Sequence, residues 1–119
     1  MSAVLNLGEI VAAHARLQPQ KIAARDSRRA LSFAQWNSRA CRLANALVGL
    51  GLEKGDRVAL LAYNRVEWME IYIALAKAGL VAVPVNFRLV GPEIKYIVEH
   101  CAARTCIIED ALVLSLIHI

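Results

Sequence analysis

Arg57-Val58-Ala59-Leu60-Leu61-Ala62-Tyr63 decides the fold class of this chain. Six of its seven residues are apolar, without the polar alternation of a half-exposed strand. Such a run suits a strand covered on both faces, as in a parallel sheet. The residues that follow keep the matching rhythm. Trp68, Ile71, Tyr72 and Leu75 recur at helical spacing and predict the inner stripe of a helix that Gly79 ends. Asn64-x-x-Glu67 has the form of a capping signal at its start. Leu80 to Val85 predicts the next strand. Gly91-Pro92 opens a second helix, with proline at its favoured first position, and Ile94, Ile97, Val98 and Cys101 form its apolar face. Thr105 to Ile108 predicts a third strand. Strand, helix, strand, helix, strand with short loops predicts two right-handed crossovers. The fold class is α/β, part of a doubly wound parallel sheet with flanking helices.

Upstream of Arg57 the signals are local. Asn6 caps a predicted helix over Leu7 to Leu17, with Leu7, Ile10, Val11, His14 and Leu17 on one face and Pro19 just beyond its end. Lys21 to Arg25 and Ala30 to Leu31 flank the polar turn Asp26-Ser27-Arg28-Arg29 and predict a hairpin. Ser32-Phe33-Ala34-Gln35 carries the S-x-x-Q pattern of a capping box, with Leu31 and Trp36 placed as its hydrophobic staple. Trp36, Ala40, Leu43, Ala44, Leu47 and Leu50 continue at helical spacing. Gly51 supplies the left-handed residue that ends this helix.

The 119 residues are 58% hydrophobic and 20% charged. Globular chains average about 45–50% apolar, and small domains need polar residues to cover a large surface. The excess predicts apolar faces that the rest of a parent chain covers. The formal charge of +4 comes from 14 Lys+Arg against 10 Asp+Glu. These basic residues are scattered, with only Arg28-Arg29 adjacent, so the stripe expected of a nucleic-acid binder is missing and no nucleic-acid partner is predicted. Cys41, Cys101 and Cys106 show no metal-type spacing and read as buried free thiols in a reducing compartment. His14, His100 and His118 are too dispersed for a metal site. Met1 to Leu7 lacks the pattern of a signal peptide, and no apolar run approaches the roughly 20 residues of a transmembrane segment. A soluble, cytoplasmic setting is expected.

No reaction is carried by these residues alone. Gly49, Gly51 and Gly55 follow a helix and precede a strand, the reverse of a dinucleotide fingerprint, and read as helix termination and a turn. A phosphate loop of the G-x-x-x-x-G-K-[ST] type, a G-x-S-x-G elbow and an H-E-x-x-H pair are all missing. No catalytic residue and no metal ligand is assigned. Open parallel sheets bind ligands beyond the carboxyl ends of their strands, which here are Tyr63-Asn64, Val85 to Arg88, and Glu109-Asp110. Arg88 is the polar residue of interest. Just past a buried strand, its forked guanidinium suits a phosphate; the competing reading is a surface arginine or one paired to Glu93.

An ordered series of motifs resembles the start of acyl-CoA synthetases, in the AMP-forming, adenylate-forming (AMP-binding) enzyme superfamily. The series is Leu31-Ser32-Phe33-Ala34-Gln35-Trp36 with Leu43-Ala44; Leu50-Gly51-Leu52-x-Lys54-Gly55-Asp56-Arg57-Val58-Ala59; Asn64-x-x-Glu67; Ala78-Gly79-Leu80-Val81-Ala82-Val83-Pro84-Val85-Asn86; and Arg88-Leu89 with Glu93-Ile94-x-Tyr96. It covers about residues 6 to 110 without gaps. The resemblance implies the first subdomain of a large N-terminal α/β domain. It also implies a parent ligase that activates a carboxylic acid, fatty-acyl or related, with ATP and Mg2+. The acyl-adenylate so formed passes its acyl group to coenzyme A. In some members the arginine corresponding to Arg88 contacts a phosphate of CoA, so Arg88 is the one cofactor-binding residue that the resemblance implies. Asn86-Phe87-Arg88-Leu89 is closer to CoA ligases than to peptide-synthetase adenylation domains, although many CoA ligases carry proline where Phe87 stands.

The family's phosphate loop, adenine and magnesium motifs, hinge, catalytic lysine and acyl pocket lie downstream of this stretch. The chain is therefore expected to be a truncated and inactive N-terminal part, residues 1–113. Residues 114–119, Leu-Ser-Leu-Ile-His-Ile, leave the family pattern and resemble the translation of a transposon-end sequencing adapter. Two alternatives stand beside the CoA ligase: a complete small flavodoxin-like binding or interaction module, and part of an adenylating enzyme that loads a carrier protein.

Overall fold

The computed structural model describes residues 6–112, so the tail 114–119 lies outside the described residues. The chain begins with α1 (Leu7–Leu17), a hairpin of β1 (Ile22–Arg25) and β2 (Ala30–Ser32), and α2 (Phe33–Gly49). It continues through β3 (Arg57–Leu61), α3 (Glu67–Ala78), β4 (Val81–Pro84), α4 (Gly91–His100) and β5 (Thr105–Ile108), and ends in a 3-10 turn at Asp110–Leu112. The hairpin is antiparallel, whereas β3, β4 and β5 form a parallel sheet in the order β4-β3-β5. β3 and β4 are slightly shorter than the apolar runs that predict them, and β5 matches its run.

The two faces of β3 meet different layers, as the unbroken apolar run requires. Val58 and Leu60 pack with Ile71 and Leu75 of α3 and Leu47 of α2. Ala59 and Leu61 pack instead with Ile94 of α4 and with Val85. Helices therefore cover both faces, and β3, central and almost fully buried, holds the layers together.

Local chemistry sets the helix ends. The Ser32 hydroxyl accepts from the Gln35 amide at 3.2 Å, while Gln35 Oε1 accepts from the Ser32 amide at 2.9 Å. This reciprocal box starts α2, with Leu31 and Trp36 both buried in one cluster as the staple requires. Gly51 (φ 95°) and Gly79 (φ 73°) take the left-handed conformation beyond α2 and α3, where a Cβ would be strained. No glycine ends α4; Ala102 takes the left-handed role there at φ 54°.

Six expectations change. The α1 stripe faces outward except at Val11: Leu7 and Leu17 are 62% and 76% exposed, while Val11 is buried as expected and Gly8 turns inward beside it. Gly8 is the reason, because its missing Cβ lets α1 lie against α3; an added Cβ would come 2.6 Å from Lys77 Cγ. Asn64 does not cap α3, which begins at Val66–Glu67 without a cap from its own segment. Tyr72 leaves the inner stripe of α3 and is exposed, its place taken by Ala74 with Ile73 on the adjoining face. Pro92 occupies the second position of α4, and the three cysteines are half-buried. Leu50 is likewise exposed, because α2 ends before it.

Among the described residues, no helix is long and apolar enough to cross a membrane.

Candidate functional site

The carboxyl ends of β3 and β4 open into one cleft of about 440 Å3. Strand order explains it. The chain leaves β3 for α3 on one face of the sheet and leaves β4 for α4 on the other. Two neighbouring strands whose exits diverge leave a crevice, the topological switch point of an open α/β sheet. Ala62, Asn64 and Arg65 line it from the β3 side, Pro84 to Phe87 from the β4 side, and Trp68 and Tyr72 from the first turns of α3.

Aromatic contacts shape this cleft. Trp68 and Tyr72 lie 5.4 Å apart, centroid to centroid, in a tilted pair. Tyr63 and Phe87 meet edge to face at 4.7 Å, joining the two strand exits. Trp68 Nε1 donates to the Tyr63 carbonyl at 2.7 Å, which fixes the indole against the β3 exit.

Arg88 stands at the rim. It is exposed and does not itself line the cleft, but its guanidinium lies 5.5 Å from the centroid of the Phe87 ring, which does. Its amide donates to Asn86 Oδ1 at 2.9 Å, an Asx-type turn that sets the loop. The expected alternative of a pair with Glu93 is not what forms, since Glu93 Oε1 accepts from the Val90 amide at 3.0 Å. Among the described residues Arg88 has no carboxylate partner.

Arg65 contrasts with it. This side chain lines the same cleft yet is held by two carboxylates, Glu67 at 3.0 Å and Glu109. Glu109 also accepts from the Tyr63 amide at 3.1 Å, so the β5 exit is tied to the β3 exit. Hydrogen bonds to Glu67 and Glu109 push the Arg65 guanidinium further up. Arg29 reaches Glu67 from the hairpin at 2.9 Å. Partial burial raises the Glu67 carboxyl, but its own backbone amide, Arg65 and Arg29 together hold it below the usual carboxylate range.

Sequence reading misses the most consequential group, Asp26. One of its oxygens accepts the Arg28 and Arg29 amides at 2.7 and 2.9 Å, closing the hairpin turn. The other accepts the Val66 amide at 2.8 Å, so the hairpin supplies the cap that α3 lacks. The amides of Val66, Arg29 and Arg28 hold its carboxyl down at about 2. Asp26 in a turn motif is legible as an Asx turn; its second partner, 40 residues on, is not.

The metal that the resemblance implies finds no fit here. Among the described residues, no group of three or more His, Cys, Asp or Glu side chains can hold a metal ion, and the carboxylates at the strand exits are engaged with arginines and amides.

The protein-family model of the AMP-binding enzyme matches residues 11–118. The chain belongs to the AMP-binding enzyme family. Its relatives in that family include the long-chain-fatty-acid–CoA ligase FadD13 of Mycobacterium tuberculosis, 44% identical over 77 residues, which are 65% of this chain and 15% of the ligase. The fatty acid–[acyl-carrier-protein] ligase ScoC of Streptomyces coeruleorubidus is 38% identical over 97 residues, 82% of this chain and 19% of the ligase. Among solved structures, the anthranilate CoA ligase AuaEII in complex with anthranoyl-AMP superposes with a TM-score of 0.92 at 29% identity, covering 99% of this chain and 23% of that one. The chain thus spans less than a fifth of the length of these two curated relatives. The AMP-binding match and this superposition agree with the mixed α/β fold, a parallel three-stranded sheet between helices, of the family's N-terminal subdomains.

Proposed function

We propose that residues 1–113 are the N-terminal part of an AMP-forming acid–CoA ligase. They build the wall on which CoA docks, while residues 114–119 are not native sequence. The observation that carries this reading is Arg88, a guanidinium without a carboxylate partner at the rim of the switch-point cleft. Family membership over residues 11–118 supports the ligase over a small flavodoxin-like module.

In this reaction the carboxylate attacks the α-phosphorus of ATP, pyrophosphate leaves, and a poor leaving group becomes AMP. The CoA thiol then attacks the acyl carbonyl and displaces AMP. Mg2+ supplies charge neutralisation on the phosphates when bound. The residues described here perform none of these bond changes. Arg88 orients CoA through a charge-assisted, forked hydrogen bond to a phosphate, and Phe87 beneath it keeps the guanidinium flat. The acid is a small carboxylic acid, fatty-acyl or related, whose pocket lies outside this stretch.

The test uses the full-length enzyme with ATP, Mg2+, CoA and a panel of palmitate, ferulate and anthranilate, reading pyrophosphate and CoA thioester. Arg88→Ala is expected to raise the KM for CoA about tenfold, the scale of one lost charge-assisted hydrogen bond. An unchanged CoA dependence would remove Arg88 from the site. The likeness to ScoC favours a second reading, an enzyme that loads a carrier protein. Thioester on a phosphopantetheinylated carrier, with none on free CoA, would select it. The coding DNA beneath residues 114–119 tests the tail: native codons running through and past it would show that the tail belongs to the protein.

A further inference from the structure

Among the described residues nothing covers the outward face of α1, which is apolar. Leu7, Ile10 and Leu17 are 62%, 39% and 76% exposed, and His14 between them is exposed too. These four recur at the spacing of one helix face and turn away from the layer that buries Gly8 and Val11. The ring of His14 stacks on Phe33 at 5.1 Å, which fixes that part of the stripe. Ala13 adds only a methyl group beside it, so a second helix can come close.

Two features match this face to itself. The stripe is symmetric about Ala12: Leu7 and Leu17 stand five residues to either side, and Ile10 and His14 two. An antiparallel second copy of α1 therefore sets Leu7 against the partner's Leu17 and Ile10 against the partner's His14, twice over. The charges ask for the same direction. Glu9 in the first turn and Arg16 in the last are both exposed, and among the described residues neither has an ion-pair partner. Seven residues apart, almost two full turns, they lie along one edge of the stripe. A two-fold axis across an antiparallel pair keeps that edge on the same side of both helices, so Glu9 of each copy meets the partner's Arg16. A parallel pair would put the two edges on opposite sides. Opposed helix dipoles favour the antiparallel arrangement as well. An anionic membrane finds no such match, because α1 carries one carboxylate for its one guanidinium.

We propose that α1 is a self-association face. Two copies of the chain pair their first helices antiparallel through Leu7, Ile10, His14 and Leu17, flanked by two Glu9–Arg16 ion pairs. The helix has eleven residues. At about 16 Å long it buries less than the roughly 800 Å2 per partner of a standard interface. The dimer is accordingly weak, with a Kd on the order of tens of micromolar. No contact with CoA enters it.

Sedimentation velocity of the full-length enzyme from about 1 to 100 μM tests the pairing, which should appear as a monomer–dimer equilibrium. Glu9→Lys and Arg16→Glu should each weaken it about tenfold, since the two-fold axis turns both ion pairs into repulsions at once. An equimolar mixture of these two variants should regain the parent affinity, because each copy then faces its opposite charge. The double substitution Glu9→Lys/Arg16→Glu should regain it too. Leu17→Asp should weaken the dimer by more than either charge reversal, with the thermal midpoint of the monomer unchanged. A monomer across the whole range overturns the proposal, as does a dimer that none of these substitutions weakens. Charge reversals that weaken the dimer without rescue in the mixture or the double variant overturn the antiparallel pairing. A thermal midpoint lowered by Leu17→Asp, with no change in mass, shows that the parent chain covers this face, and the proposal falls. It falls equally if the enzyme stays monomeric yet sediments with phosphatidylcholine–phosphatidylglycerol vesicles and Leu17→Asp abolishes that binding.

Discussion

The layer formed by the hairpin, α2 and α3 and the rim formed by the β3 and β4 exits treat polar groups in opposite ways. In the layer, most polar side chains answer one another, although among the described residues buried Arg29 Nε and Asn37 Oδ1 lack hydrogen-bond partners. Arg39 forks onto Glu70, Trp36 Nε1 donates to the Met69 carbonyl at 2.8 Å, and Asp26 closes a turn and caps a helix at once. At the rim, Arg88 stands over a ring and Tyr72 faces solvent, with the asparagine amides beside them partly uncommitted. A region most of whose polar groups pair with one another is set for rigidity; one that leaves more of them open is set to meet something else. Both regions rest on the same central strand, so a tight layer can hold the rim still.

Substitutions can break this contrast, and the largest effect belongs to the core beneath it. Leu60 is 1% exposed in the centre of β3. Leu60→Ala should destabilise the fold by about 2–5 kcal/mol, from lost transfer energy plus a residual cavity. A thermal or denaturant midpoint measures it, and a change as small as that of a surface substitution would deny that β3 holds the layers together. Ser32→Ala comes next. It removes the hydroxyl half of the capping box and should reduce stability by about 1 kcal/mol, read from the same midpoint. Ala102→Gly should act in reverse and stabilise by up to about 1 kcal/mol, since glycine takes the left-handed conformation without a Cβ clash. Arg88→Ala should fall within about 0.5 kcal/mol of the parent, as exposed sites without partners do. Stability lost at Arg88 on the scale of Ser32 would erase the distinction between layer and rim.

Acid sharpens the comparison further. The Asp26 carboxyl is held at about 2 against an ordinary 3.8, so its contribution is complete above about pH 4 and is lost as the pH falls through about 2. Stability of the parent should fall across that window more steeply than that of Asp26→Asn, which has no charge to lose. Parallel acid profiles for the two would contradict the role given to Asp26.

Sequence carries what depends on neighbours in the chain. The α1 boundaries, the capping box at Ser32, the left-handed glycines after α2 and α3, and the strand–helix alternation from Arg57 all follow from short-range spacing and appear where expected. Long-range partners are not legible in this way. Asp26 and Val66 are 40 residues apart, Trp36 and Met69 33, and Arg65 and Glu109 44. The α1 stripe misleads for a related reason. Its apolar spacing is real, but Gly8 decides which face approaches α3, and only the packed pair reveals that close approach. The site was half visible. The rule for open sheets points to the strand exits and the resemblance to Arg88. The aromatic walls required knowing that α3 turns Trp68 and Tyr72 toward the β4 exit.

The central claim is that the rim, and Arg88 on it, meets the nucleotide of CoA while the layer below only holds it in place. Titration calorimetry of the full-length enzyme with CoA and with pantetheine, which lacks every phosphate and the base, tests this most directly when parent and Arg88→Ala are compared. The expected result is that Arg88→Ala loses about tenfold in affinity for CoA and none for pantetheine, the loss of one charge-assisted contact. Equal CoA affinity in the two proteins would contradict it.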